Sequence, residues 1–454
     1  MKPKSSLAYP FALPSIDWHL YLIEEAKHIH KYLKNYGEQE AITASNLVCT
    51  SIEKGKWEYC LVIPVYQESP AFYQRLTQSL LKTQNALLIL VINQPDTFVE
   101  ADTLNTQLWH QLINTSTAIN ANNNVQLRHI PTTNSDLMLV DRFTNAQQIP
   151  FKQGVGLARK IGADIALTLI STGHLKTPWI YSSDADAHLP DDYFSALHAK
   201  QSVSKSSTAK PSTLKSDILK SDTPSGVGDH TAAALYPFTH RCHDDSVGKA
   251  TQLYEAKMQQ YVDGLHAAGS PYAFHTIGST LALSAKHYAQ VRGFPKRSAG
   301  EDFYLLNKLA KTGAICPLQT QPIQIDARLS TRVPFGTGPA IGKLLAEDNL
   351  EAAKIFYDPD VFTVLKTWLD SMPKTQTTAL ENLCLSETAV LALRAIGTEK
   401  AIEATRKISR TPQRYIKHMH TWFDAFKTLK FIHALRSDGA PNVALKHAKI
   451  KNSL

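Results

Sequence analysis

Two apolar runs limit what this chain can fold into. YCLVIPVYQE (59–68) and ALLILVIN (86–93) hold Val, Leu and Ile almost without interruption. A strand with one face in water alternates apolar and polar residues. A strand that does not alternate is buried on both faces, as in parallel sheets. Between the runs, SPAFYQRLTQSLLKTQ (69–84) has helical spacing, with Ser69 expected as N-cap and Pro70 as the first helical residue. Strand, helix and strand together predict a βαβ unit, with the first strand ending at Pro64.

The same reading extends along the chain. IDWHLYLIEEAKHIHKYLKNY (16–36) predicts a helix, and FKQGVGLARKIGADIALTLIST (151–172) another after a glycine-bearing start. TPWIYSSDAD (177–186) and AALYPF (233–238) read as strands, and GSTLALSAKHYAQVRGFP (278–295) as strand, helix and turn. GEDFYLLNKLAKTG (300–313) is a helix opened by acids and closed by Gly313, as the helix dipole prefers. Residues 199–230 are rich in Ser, Lys and Thr and predict a mobile insertion. After about residue 340 the pattern is helical, and no internal repeat occurs. The expected organisation is an N-terminal helical extension (1–56), an α/β domain (57–335, with the 199–230 insertion) and a helical, basic C-terminal region (336–454).

The net charge of +8 over 454 residues favours acidic partners such as nucleotides, phosphates or an anionic membrane surface. Five scattered cysteines without a CxxC pair argue against a disulfide framework or zinc knuckle and point to a reducing, cytoplasmic setting. Prolines and Asp17 break the N-terminal stretch, so no signal peptide is read. No apolar run reaches the roughly 18–20 residues of a membrane helix. The basic stretch from Lys400 onward reads either as solvated helix faces or as a peripheral contact with the inner face of a membrane. His418 and His420 would face different ways on a helix and predict no metal site.

The segment IYSSDADAHLP (180–190) ends an apolar strand with two carboxylates, Asp184 and Asp186. Residues i and i+2 share a face at a strand end, where like charges repel unless a cation lies between them. Mg²⁺ or Mn²⁺ takes oxygen ligands and shares its shell with phosphates. Open α/β sheets bind ligands beyond the carboxyl ends of their strands. The other reading is a solvated Asp-rich turn in which Asp184 caps the next helix.

Taken in order, IPVYQES, VINQPD, GVGLARKIGADIAL, IYSSDADAHLPDDYF and RGFPKRSAGEDFYLLNKLAKTG resemble the family 2 glycosyltransferases and their GT-A fold relatives over about residues 57–320. The resemblance implies a Rossmann-related, mostly parallel central sheet flanked by helices. It implies that the loop from Pro64 through Tyr66 to Glu68 lines a nucleotide, with Asp96 at the second strand end. There the run Asn93-Gln94-Pro95-Asp96 departs from the family's acids. Gly154, Arg159 and Lys160 fall on a pattern near the diphosphate, with Lys160 where the family has Asn. Asp186 is implied as metal ligand and Asp184 as shared between metal and ribose or sugar. Asp302 is implied as general base and Glu301 as the group that orients the acceptor. The plain alternatives are a helix-surface pair for Arg159 and Lys160, and dipole stabilisation for Glu301 and Asp302.

Further candidates are His275, as third metal ligand, donor-sugar contact or structural histidine, and Arg332, in a basic loop (328–342) with Gly336 and Gly338 that reads as a lid or a linker. The expected activity is metal-dependent, inverting, hexosyltransferase-type transfer from a UDP- or GDP-sugar to a saccharide or lipid-linked acceptor. A retaining transferase using His275 on a small phosphorylated acceptor, and a non-catalytic sugar-binding relative, stay open. A nucleotidyltransferase would carry a Gly-rich loop after the first strand, and IPVYQES has no glycine. The aromatic–basic interleaving of single-strand binders is missing, so nucleic acid is not expected.

Overall fold

The computed structural model describes residues 18–197, 227–228, 230–437 and 439–448, with side chains from residue 27 onward. The insertion expected at 199–230 lies, apart from its end, outside the described residues. The chain opens with α1 (Trp18–Tyr36) and α2 (Gln39–Ser51). Then come β1 (Tyr59–Val65), α3 (Ala71–Gln78), the short α4 (Leu80–Thr83) and β2 (Ala86–Asn93). The helix starts one residue later than read from sequence. Pro70, not Ser69, is its N-cap, and no side chain caps it. An irregular Ser79 (φ −117°, ψ −100°) separates α3 from α4.

Next follow α5 (Thr103–Asn114), β3 (Thr117–Asn122), β4 (Val125–His129), β5 (Asp136–Arg142) and the central helix α6 (Gly154–Ser171). β6 (Trp179–Ser182), β7 (Ala187–His188), β8 (Thr231–Leu235) and β9 (Phe238–Arg241) lead to the long α7 (Ser246–Ala267). β10 (Leu281–Ser284), α8 (Ala285–Gln290), α9 (Glu301–Leu309), β11 (Ala314–Pro317) and β12 (Ile323–Asp326) complete the α/β part. The rest is helical: α10 (Thr337–Leu345), α11 (Asp360–Ser371), α12 (Glu387–Ala395), α13 (Thr398–Ile408), α14 (Pro412–Trp422) and α15 (Ala425–Ser437).

Nine strands form one sheet in the order β11-β8-β10-β6-β1-β2-β5-β4-β3, and β7-β12-β9 form a small second one. In the large sheet all strands except β4 and β10 run the same way. The sheet is therefore mostly parallel and flanked by helices, as expected. β1 lies at its centre, with Leu61 opposite both Leu88 and Tyr181. It runs one residue past Pro64, and pairing with β6 stops at Val62, so the missing proline amide falls beyond that ladder.

Period two reappears in the packing, although the sequence of the strands hides it. Cys60, Val62, Leu87, Ile89 and Val91 face the core under α6, while Leu61, Ile63, Val65, Leu88, Leu90 and Ile92 face the core under α3, α4 and α5. α6 is buried from Gly156 to Leu169 because α1 and α2 cover its outer side. Asp164 joins these layers. It accepts hydrogen bonds from Tyr32 Oη (2.6 Å), Tyr288 Oη (2.9 Å), Lys160 Nζ (2.5 Å) and the Glu38 amide (3.0 Å). Ile29, Tyr32 and Ala44 of the expected N-terminal extension thus share the main core. All five cysteines are free. Among the described residues no helix is long and apolar enough to cross a membrane.

Candidate active site

β1 delivers the chain to one rim of the sheet. There the backbone turns at Gln67, whose φ of 54° is uncommon for a residue with a side chain. The turn is held by Asn105 Oδ1, which accepts from the Gln67 amide (2.9 Å), and by Asp102, which accepts from the Gln67 side chain (2.8 Å). Glu68 follows, and its carboxylate is largely buried. β6, parallel to β1, ends on the same rim. Ser183 Oγ donates to the Ser279 carbonyl (2.9 Å). Asp184, Ala185 and Asp186 then bridge to β7. Both aspartates line one cavity of about 210 Å³, together with His240, Ser279, Asp326, Arg328 and Arg332.

Each aspartate has its own arginine. Arg159, only 3% exposed, donates to Asp184 Oδ1 (2.6 Å), Glu301 Oε1 (2.8 Å), Ser182 Oγ (3.1 Å) and the Ser183 carbonyl (3.2 Å). Burial works against its charge, but Asp184 and Glu301 outweigh it and raise its pKa. Gly278 makes this packing possible, since a Cβ there would collide with the guanidinium. Glu301 and Asp302 open α9. Burial pushes the Asp302 carboxyl up to about 7, with Glu301 and Asp184 adding to the rise and the Phe303 amide and Arg159 opposing it.

Asp186 is pushed up to about 6, first by burial and then by Asp184, against the pull of Arg328. Arg328 lies 2.8 Å from Asp186 and also holds Glu68 with two bonds (2.6 and 2.8 Å). Arg332 Nη1 donates to Glu68 Oε1 (2.5 Å) and to the Tyr66 carbonyl (2.7 Å). Burial favours the neutral form of Glu68, but the two arginines outweigh it and hold its pKa below the ordinary value.

The structure thus brings Tyr66, Glu68, Asp184, Asp186 and Arg332 to one place, with Glu301 linked to it through Arg159. Other expected site residues stand elsewhere. Arg159 itself is enclosed among carboxylates and faces no open space, which corrects its expected place at a diphosphate. Lys160 lies about 100° further round α6 and donates to Asp164, Tyr32 Oη (2.8 Å) and the Tyr36 carbonyl (2.7 Å) in the core. Asp96 is exposed and accepts from the Phe151 amide (2.9 Å), fastening the segment before α6. Gly154 has φ 38°, and a Cβ there would lie 2.7 Å from Ser298 Cα, so it serves the packing of the 298 turn. Pro64 is buried within β1, opposite Val91. His275 does not line the cavity; its Nε2 meets Gln259 Oε1 (3.1 Å) and its ring stands edge-on to Phe238.

Sequence reasoning missed Arg328, His240 and Asp326. The run RLSTR offered two arginines with no sign of which would reach the aspartates. Asp326 ends β12, and its amide donates to the Asp186 carbonyl (3.0 Å), a pairing visible only once the small sheet is formed.

Two carboxylates on one cavity, the second with a raised pKa, suit a divalent cation whose remaining ligands come from a substrate's phosphates. They do not make a complete protein cage. Among the described residues no group of three or more His, Cys, Asp or Glu is placed to hold a metal ion.

No family model matches the sequence, and no curated protein matches it. Among solved structures the chain is similar to mannosyltransferase PcManGT from Pyrobaculum calidifontis, solved in complex with GDP-Man and Mn²⁺. The identity is 14% and the TM-score 0.30, over 90% of this chain and 98% of that one. So loose a likeness carries no argument about chemistry, and the functional reading rests on the site itself.

Proposed function

We propose that the chain is a metal-dependent glycosyltransferase that moves a sugar from a nucleoside-diphosphate donor, UDP- or GDP-linked, to a hydroxyl of a saccharide or lipid-linked acceptor. One observation carries the reading. Asp184, beside Asp186 at the end of β6, is tied through the buried Arg159 to Glu301, and the next residue, Asp302, is a carboxyl raised to about 7. Asp184 and Glu301 form one connected unit through Arg159, and Asp302, next in the chain, is the base proposed for it.

In the proposed reaction the acceptor oxygen forms a bond to C1 of the sugar as the bond from C1 to the diphosphate breaks. The diphosphate leaves with the electron pair, and Asp302 takes the acceptor proton. Mg²⁺ or Mn²⁺ held by Asp186, and shared with Asp184, would neutralise charge on the diphosphate as a Lewis acid. Arg159 holds Glu301 and Asp184 in register. Glu301 serves the acceptor side through that position, and Arg332 serves the diphosphate. A single base and a single displacement correspond to inversion. The position of His275, away from the cavity, gives no support to a retaining route that would use it.

Thermal unfolding with UDP, GDP and their common sugars, each with and without Mn²⁺, tests the reading on wild type and Asp186→Ala. Ligand that binds the folded form alone raises the midpoint. The expected result is a metal-dependent rise with one nucleotide that Asp186→Ala loses. No rise with any nucleotide, with or without Mn²⁺, would overturn the donor site.

A further inference from the structure

The cavity beside the aspartates is small, about 210 Å³, against the roughly 300–1,000 Å³ of ordinary ligand sites. The segment after β12 is what narrows it, since Arg328, Ser330, Arg332, Val333, Thr337 and Ile341 are on its wall. Between residues 328 and 335 no backbone hydrogen bond joins this segment to the rest of the described residues. Gly336 (φ 118°) has open space around its Cα. Leu329 and Phe335 stand more than half exposed, at 55% and 53%. Arginine side chains hold the segment down: Arg328 on Glu68 and Asp186, and Arg332 on Glu68 and the Tyr66 carbonyl.

We propose that Arg328 is a latch that occupies the cation's place on Asp186 and makes cation binding conditional on the donor. The inference rests on the donor reading given above. Two guanidinium groups face two carboxylates, Glu68 and Asp186, in a closed set with no net charge. A diphosphate and a divalent cation together bring two negative and two positive charges. Overall charge then balances: the diphosphate takes the two arginines, and the cation offsets the two carboxylates they leave, Asp186 and Glu68. A cation arriving alone must displace Arg328 from Asp186 while Glu68 still holds that arginine beside the same carboxylate. Glu68 is the resting place of the arginines, and Arg328 is a positioning residue.

Mn²⁺ titration of the full chain, followed by the electron paramagnetic resonance of free Mn²⁺ and without nucleotide, is the test. Arg328→Ala is expected to bind Mn²⁺ alone about tenfold more tightly than wild type, within the usual range of coupling between sites. Arg332→Ala loses a contact with Glu68 and none with Asp186, on which Arg332 acts only at a distance, and is expected to tighten Mn²⁺ binding clearly less than Arg328→Ala while weakening UDP or GDP binding. Should circular dichroism show Arg328→Ala unfolded, Arg328→Gln, which also lacks the charge, takes its place with the same expectation. Nucleotide binding by wild type, together with Mn²⁺ affinity in the Arg328 variant no tighter than wild type, overturns the latch and spares the donor reading. Failure of wild type to bind nucleotide or Mn²⁺ in any combination overturns both.

Discussion

Asp302 shows what a site can demand of one residue. A carboxyl raised to about 7 is an acid in the folded protein across the range where the unfolded chain has already lost the proton. Its contribution to stability is complete below the ordinary carboxyl value of 3.8 and is lost as pH rises through about 7. If Asp302 is the base of the proposed reaction, activity runs the other way, because only the ionised form accepts a proton. The expected kcat/KM rises with pH through about 7 and levels off. Asp302→Asn should lower kcat by about 10²–10⁴-fold. It should also raise the melting temperature relative to wild type, by more at about pH 8 than at about pH 5. Unfolding curves at both pH values and a pH–rate profile check this, and a gain that shrinks with rising pH would contradict the raised pKa. The pair Glu301-Asp302 was legible because acids at a helix start after a glycine form a local pattern. Arg159 was expected at a diphosphate, and its enclosed place among carboxylates was not legible. Its partners come from β6 and α9, about 23 and 142 residues away, and a distance in sequence carries no sign of a contact.

At the scale of elements, α6 is the spine that fixes the distance between the sheet and the acids. Gly162 lets it press onto β1, where an added Cβ would collide with Val62 Cγ1. Gly162→Ala is expected to destabilise the protein by about 1–3 kcal/mol through overpacking. Adding Val62→Ala should recover part of that loss, because the two changes meet at one contact. Chemical unfolding of both single variants and the pair checks this; strictly additive losses would mean that the helix does not rest there. Elements built from uninterrupted apolar runs, such as β1 and β2, were readable from the order of their residues alone. Residues 94–150 were not. β3 reads TAINAN and is almost wholly exposed, so no burial pattern marks it. Its turn into β4 depends on Asn123 in the left-handed region (φ 50°) within a run of asparagines that reads equally well as loop. β5 is apolar enough to be a strand, but its place beside β2 is a matter of register and not of composition.

At the scale of the molecule, α7 decides how the α/β part and the C-terminal helices relate. Leu265 and Ala268 pack into the core of α11 to α15, and Ala250 and Leu253 pack with Ile341, Leu344 and Phe356. Gln260 is buried between them. Its amide donates to the carbonyls of Tyr357 (2.8 Å) and Ala448 (2.9 Å), and its oxygen accepts from the Tyr357 amide (2.9 Å). The helical character after about residue 340 was plain in the sequence. The dependence on α7 was not, because amphipathic helices fit many partners and the choice is made by shape. A fragment ending at residue 335 would leave Gln260 without partners and one side of α7 bare, and each unmade bond to a buried polar group costs about 1–3 kcal/mol. It would also lose Thr337, Gly338 and Ile341 from the cavity wall. The expected outcome is a fragment that aggregates on size-exclusion chromatography, while the full chain unfolds in one transition that includes both parts. A fragment of residues 1–335 that stayed monomeric, kept the helical content of its own elements and bound nucleotide as the full chain does would show that the α/β part stands alone, and the C-terminal helices would then be a separate module carried by it.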